Sequence, residues 1–240
     1  MSDWPRDPST SDEEMLGAEL PTIVQELTDE QRVERMRDEL QMGFDAMRGT
    51  ARAVSVFGSA RIPESHPDYE IARRLGRDLG IAGFTVITGG GPGLMEAANR
   101  GAQQARARSV GLNIELPFEQ DPNPYQDLEL KFHYFFTRKV MFVRYANAFV
   151  VCPGGFGTLD EMFESLVLIQ TGKIKHFPVV LLGSEYWSGL VDWLREQMLS
   201  RALISENDLG LITITDEPAE AAEICSRAAD RQLGTSTGSG

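Results

Sequence analysis

The sequence predicts a doubly wound α/β domain, a parallel sheet with helices on both faces. Short apolar runs recur at 53–57, 85–87, 110–114, 148–151, 179–182 and 211–214. Segments with helical spacing separate most of them, and strands that alternate with helices form parallel sheets buried on both sides. Three of the runs end abruptly in glycine-bearing turns, where a strand hands over to the next segment.

The elements follow in order. Residues 1–27 are acidic, with prolines and serines and no sustained period, and are expected to form a disordered arm. A helix is expected over 29–48: Thr28-x-x-Gln31 caps it, Val33, Met36, Leu40, Phe44 and Met47 share a face, and Gly49 ends it. Strand 53–57 then precedes helix 67–81. Strand 85–87 precedes helix 92–107, with Pro92 at its first position. Strand 110–114 runs into a Pro-rich loop, 116–126. A short strand at 130–135 leads to helix 138–145 and strand 148–151. The next helix carries Met162, Phe163, Leu166, Val167 and Ile169 on its apolar side. Strand 179–182, helix 188–200, strand 211–214 and helix 219–229 close the pattern. The division is therefore arm 1–27, N-terminal helix 28–49, one α/β domain over 50–230, and a Gly/Ser/Thr-rich tail over 231–240.

Composition narrows the function. The 240 residues are 42% hydrophobic and 25% charged, with net charge −13, which fits one globular domain of about 180–200 residues plus tails. Residues 1–50 hold 13 Asp/Glu and 5 Arg, a net of −8, leaving −5 for the remainder. No basic face is offered, so no nucleic-acid partner is expected. The N-terminus has neither the basic nor the apolar part of a signal peptide and no run is long enough to span a bilayer, so no membrane partner and a cytoplasmic location are expected. Cys152 and Cys225 do not make a disulfide framework, and Cys152, at a strand end, reads as a core thiol. His66, His133 and His176 are scattered without metal spacing, so no metal is expected. Lys173 and Lys175 could hold a pyridoxal group, but nothing around them argues for one.

Chemistry concentrates in three loops expected at the carboxyl edge of the sheet, where ligands of such sheets bind. The first is Phe57-Gly58-Ser59-Ala60-Arg61. The second is Thr88-Gly89-Gly90-Gly91-Pro92-Gly93-Leu94-Met95-Glu96. The third is Pro153-Gly154-Gly155-Phe156-Gly157-Thr158-Leu159-Asp160-Glu161. Glycine loops that open a helix present bare N–H groups to an anion, most often a phosphate. The second loop is not a P-loop, lacking Gly-Lys-Ser/Thr, nor a dinucleotide fingerprint, since Glu96 stands where the third glycine belongs. Gly58-Ser59 alone could be a simple turn. Thr158-x-x-Glu161 has two readings: a capping box that closes the helix end, or a phosphate-binding hydroxyl with a catalytic carboxylate near it. Finally, Arg138-Lys139 puts two cations at a helix start, against the dipole, which a nearby anion would explain.

Together, the Gly89–Ala97 glycine motif, the Arg138-Lys139 pair and Pro153-Gly154-Gly155-Phe156-Gly157-Thr158-Leu159-Asp160-Glu161 resemble the LONELY GUY family. These are cytokinin riboside 5′-monophosphate phosphoribohydrolases, often mislabelled lysine decarboxylases. The resemblance spans about residues 54–224 and implies a Rossmann-like, nucleotide-binding catalytic domain over 50–230. It implies hydrolysis of the N-glycosidic bond of a nucleoside 5′-monophosphate, AMP or an N6-modified AMP, without a cofactor. By the same resemblance Glu161 is the catalytic glutamate and Arg138 the catalytic arginine. Glu96 lies near the ribose hydroxyls, and Gly154, Gly155, Gly157 and Thr158 form the phosphate loop. Gly58, Ser59, Gly90, Gly91, Met95 and Lys139 complete the expected substrate site. A homodimer or larger symmetric assembly is expected, because family active sites lie near a subunit interface and the apolar face of helix 29–48 needs a partner surface. The alternative is a non-catalytic protein of the same fold that binds a nucleotide or nucleotide-bearing cofactor.

Overall fold

A computed structural model describes residues 10–16, 27–116, 121–174 and 177–234. The remainder of the acidic arm, part of loop 116–126, Lys175, His176 and tail residues 235–240 lie outside the described residues. Seven strands form one sheet: β1 (Ala53–Phe57), β2 (Thr85–Thr88), β3 (Ser109–Ile114), β4 (Leu128–Phe132), β5 (Ala148–Val151), β6 (Val179–Leu182) and β7 (Ile212–Thr215). All neighbours run parallel, in the order β4-β3-β2-β1-β5-β6-β7. The chain starts in the middle, adds β2, β3 and β4 outward on one side, then returns to place β5, β6 and β7 on the other side of β1. The strand order thus reverses between β1 and β5. A crevice opens there at the carboxyl ends, because the loops after these two strands leave toward opposite faces.

The helices are α1 (Ser11–Leu16), α2 (Asp29–Ala46), α3 (Pro67–Ile81), α4 (Leu94–Gln104), α5 (Phe135–Tyr145), α6 (Phe156–Gln170), α7 (Ser184–Trp193), α8 (Glu206–Leu209) and α9 (Pro218–Leu233). Strand alternation feeds two cores. Val54, Val56, Val150 and Val180 meet α3, α4 and α9 on one face, and Ala53, Phe57, Phe149 and Val179 meet α2, α5, α6 and α7 on the other. Buried aliphatic and aromatic side chains of this size contribute about 1.5–3 kcal/mol each. Phe57 is locked edge-on between Phe142 and Phe149, at 4.9 and 5.0 Å between centroids. Burial pushes the Cys152 and Cys225 thiols up to about 12, so both are core groups. Among the described residues no helix is long and apolar enough to cross a membrane.

Several expectations need correction. Residues 11–16 of the arm form a helix, which meets α2 and the start of α5: Arg35 Nη1 donates to Ser11 Oγ at 3.1 Å, and Phe135 N–H donates to Asp12 Oδ2 at 3.2 Å. Thr28 and Gln31 do make the expected capping box, but the buried side of α2 runs through Arg32, Glu39, Gly43 and the following Met47, with Val33 64% exposed. Leu40 and Phe44 pack against this molecule's own core. The face therefore needs no partner surface, and that argument for an oligomer fails. Gly93, not the residue before Pro92, is the N-cap of α4. Its φ of +70° and the 2.4 Å that would separate a Cβ from Ser59 O admit only glycine there. Residues 184–187, assigned to no helix by the spacing, begin α7, which continues into a π-helix over Leu194–Leu199.

Candidate active site

The three glycine loops meet over the crevice between β1 and β5. Backbone bonds stitch them together: Ser59 N–H donates to Pro153 O at 3.0 Å, and Leu94 N–H donates to Ser59 O at 2.9 Å. The result is a cleft of about 720 Å³, within the range of small-molecule sites. Gly58, Ser59, Gly91, Met95, Arg138, Gly154, Gly155, Gly157, Thr158 and Glu161 all line it.

Helix α6 begins at Phe156 with Gly155 as N-cap and no side-chain cap bond. Thr158 is therefore inside the first turn rather than at the cap, and the capping-box reading of Thr158 and Glu161 is overturned. Any helix start leaves its first N–H groups without intrahelical partners, here those of Phe156, Gly157 and Thr158. A Cβ on Gly154 would stand 2.1 Å from Thr158 Oγ1, so the loop folds tightly over the threonine hydroxyl. Gly154 O accepts from Tyr186 OH at 2.6 Å, tying the loop to α7.

Glu161 follows one turn later and is 5% exposed. Burial pushes its carboxyl up to about 7, against the pull of Lys139 and Arg138 in the opposite sense. Arg138 enters from α5. Burial lowers its pKa while Glu161 and Asp160 oppose the shift. Its guanidinium lies 5.0 Å from the Phe135 ring centroid and 5.5 Å from that of Phe142. It also reaches the second loop, since a Cβ on Gly89 would lie 3.9 Å from Nη1. Among the described residues, Arg138 Nε has no hydrogen-bond partner. An arginine beside a carboxyl that ionises near neutrality can hold a phosphosugar while that carboxylate faces a developing cation.

Three expected site residues stand off the cleft wall. Lys139 turns to α6, with Nζ 2.8 Å from Asp160 Oδ2, 3.9 Å from Glu161 Oε2, and bonded to Glu164. Burial lowers its pKa and the Asp160 and Glu164 bonds more than offset this, leaving it raised. An anion does answer this cation, but it is protein carboxylate. Glu96 accepts from Tyr69 OH at 2.7 Å. Gly90 is buried behind the loop, its carbonyl accepting from Asn123 N, Asn123 Nδ2 and Gln126 Nε2 at 2.8–3.0 Å. Those amides brace the second loop from behind.

Sequence reasoning missed Asn113, Phe142 and Tyr186, which also line the cleft. Asn113 was detectable as a polar residue near the carboxyl end of an apolar strand. Tyr186 carries no local signal, because its approach depends on how α7 packs. No lysine among the described residues lines the cleft.

A family model described as a possible lysine decarboxylase matches residues 95–225. The pyrimidine/purine nucleotide 5′-monophosphate nucleosidase of Escherichia coli (strain K12) is 31% identical over 140 residues, covering 54% of this chain and 30% of that protein. The chain thus spans only about a third of the length of that curated relative. The cytokinin riboside 5′-monophosphate phosphoribohydrolase of Mycobacterium marinum is 27% identical over 164 residues, covering 67% of this chain and 87% of that protein. Among solved structures, the Moco carrier protein of Chlamydomonas reinhardtii aligns with TM-score 0.53 and 22% identity, covering 75% of this chain and 98% of the other. At that identity the likeness shows the fold alone.

Proposed function

The chain belongs to the LONELY GUY family, whose model is described as a possible lysine decarboxylase, and on that premise we propose that it hydrolyses the N-glycosidic bond of a nucleoside 5′-monophosphate. The products are free base and ribose 5-phosphate, and the substrates are AMP or an N6-modified AMP. One observation carries the reading: a buried carboxyl poised near pH 7, Glu161, stands beside Arg138 one turn behind a glycine-loop helix start. A site that only held a nucleotide would gain nothing from a carboxylate near the phosphate, where it repels the ligand.

The residues divide the work. The Gly154–Thr158 turn and the bare N–H groups of α6 receive the 5′-phosphate, with the Thr158 hydroxyl as a further donor. This places the ribose toward Glu161. As the C1′–N bond lengthens, positive charge grows on the ribose, and the ionised Glu161 stabilises it as carboxylates do in glycoside hydrolysis. Water adds at C1′ and its proton passes to Glu161, while the departing base takes a proton on nitrogen from solvent; Glu161 then gives its proton back to solvent, so that one water is consumed for each bond broken. Arginine holds its protons too tightly to be that acid, so Arg138 orients the phosphosugar and stabilises negative charge. The absence of lysine from the described cleft wall gives no support to pyridoxal chemistry there.

Incubation with a panel of nucleoside monophosphates, followed by chromatography for free base, tests this. Release of adenine or a modified adenine from a monophosphate supports it. Nucleotide binding with no base released from any member would leave the carrier reading in its place.

A further inference from the structure

Among the described residues Arg138 has no bonded partner at Nε, so its placement depends on how the start of α5 is held. That start is poorly provided for locally. Its N-cap, Tyr134, makes no side-chain cap bond, and Arg138 and Lys139 in the first turns oppose the helix dipole. The compensation comes from far away in sequence. Glu39, on α2, is 6% exposed. Its Oε1 accepts the backbone N–H of His133 at 2.9 Å and lies 2.7 Å from the ring Nδ1 of the same residue. Its Oε2 accepts from Thr137 Oγ1 at 2.7 Å. The hydroxyl also lies 2.8 Å from Tyr134 O, but one proton serves one acceptor fully, and the charged one bonds more strongly. A second carboxylate, Asp12 of α1, accepts the N–H of Phe135 at 3.2 Å.

A helix that merely covered the sheet would place an apolar side chain at position 39, since burying a carboxylate is costly unless it is fully bonded. Glu39 is bonded to both ends of the 133–137 turn, and the next residue is Arg138. The family match over residues 95–225 does not include α2.

We infer that Glu39, seconded by Asp12, is a positioning residue of the site: the segment before the sheet clamps the 133–137 turn and thereby sets where Arg138 stands. This rests on the reading of Arg138 as a working residue, and it assigns the N-terminal helices a part in turnover.

The test uses the full chain and four variants: Glu39→Ala, Glu39→Gln, Thr137→Val, and the Glu39→Ala/Thr137→Val double. Glu39→Ala should lower kcat on AMP by about tenfold to a hundredfold with KM changed little, since small misplacements of a catalytic group cost this much. Amide hydrogen exchange over 133–138 should quicken while β5 and α9 stay protected. Glu39→Gln should recover most of kcat. Its carbonyl can still accept from His133, and its amide can donate to Thr137, whose hydroxyl then turns to Tyr134 O. The double variant should be no slower than Glu39→Ala, because both substitutions cut one path. Unchanged kcat in Glu39→Ala, or strictly additive losses in the double, would overturn the inference, as would unchanged exchange over 133–138. If the wild-type chain releases no base, the hydrolase reading fails by itself, and the exchange comparison then decides whether Glu39 clamps the turn.

Discussion

Glu161 is held between opposed demands. Burial favours its neutral form, and Lys139 and Arg138 favour its charged form; burial prevails and brings the carboxyl to about 7. Stabilising an oxocarbenium-like centre needs the charged form. The log of kcat/KM on AMP should therefore rise with pH and level off near 7, a bend that a pH-rate profile resolves. Glu161→Gln should abolish the bend and lower kcat by about a hundredfold or more. Stability moves the other way. A carboxyl whose folded-state pKa lies above its ordinary 4.5 favours folding below that value, and the contribution is lost as pH rises through about 7. Glu161→Gln, which mimics the neutral acid, should thus match wild type near pH 4. By pH 8 it should be the more stable protein by about 3 kcal/mol in denaturant unfolding. At this scale the sequence was legible in residue type but not in direction. It marked Arg138, Lys139 and Glu161, yet adjacent residues on a helix point about 100° apart, so Arg138 enters the cleft while Lys139 meets the carboxylates of α6. Glu96, placed near the ribose by resemblance, is bonded to Tyr69.

The phosphate claim belongs to the loop and first turn of α6. Several charge-assisted bonds to a 5′-phosphate are unavailable to a nucleoside, and each contributes roughly 1.5–3 kcal/mol. Adenosine should accordingly show kcat/KM lower than AMP by about two to four orders of magnitude, and ATP, too long for a loop enclosing one phosphate, should also be poor. Thr158→Val should narrow the AMP–adenosine gap by harming AMP far more. Comparable kcat/KM for the two substrates would remove the phosphate from this loop. Periodicity found the strands β1, β5 and β6 to the residue, because buried parallel strands read as unbroken apolar runs. It misplaced the helix start at Pro92 and left Thr158 open between cap and ligand donor, because backbone geometry at glycine decides the cap: Gly93 and Gly155 take that position without contributing a side-chain signal.

For the whole molecule, alternation of strands and helices announced the doubly wound sheet, but not the order β4-β3-β2-β1-β5-β6-β7. That order is what creates the crevice, and it arises from crossovers that local spacing does not encode. The same limit hid the reach of α1 and α2 to the start of α5. With α2 packed on its own domain, the motive for an oligomer shifts to α6, α7 and the π-helix segment. There Val167 and Trp193 are each 53% exposed, and Val167 lines an apolar groove with Phe163, Leu166, Leu194 and Met198. Light scattering at micromolar concentration should give a homodimer or larger symmetric assembly, and charged substitutions at Val167 and Trp193 should dissociate it; a fully active monomer would contradict this. The central claim, that the Glu161 and Arg138 cleft breaks a glycosidic bond, is tested most directly by quantifying adenine and ribose 5-phosphate released from AMP by wild type and Glu161→Gln side by side. Wild type should give equimolar products, and the variant, which still binds AMP, about a hundredfold less. No product from wild type, or equal turnover by the two proteins, would contradict it.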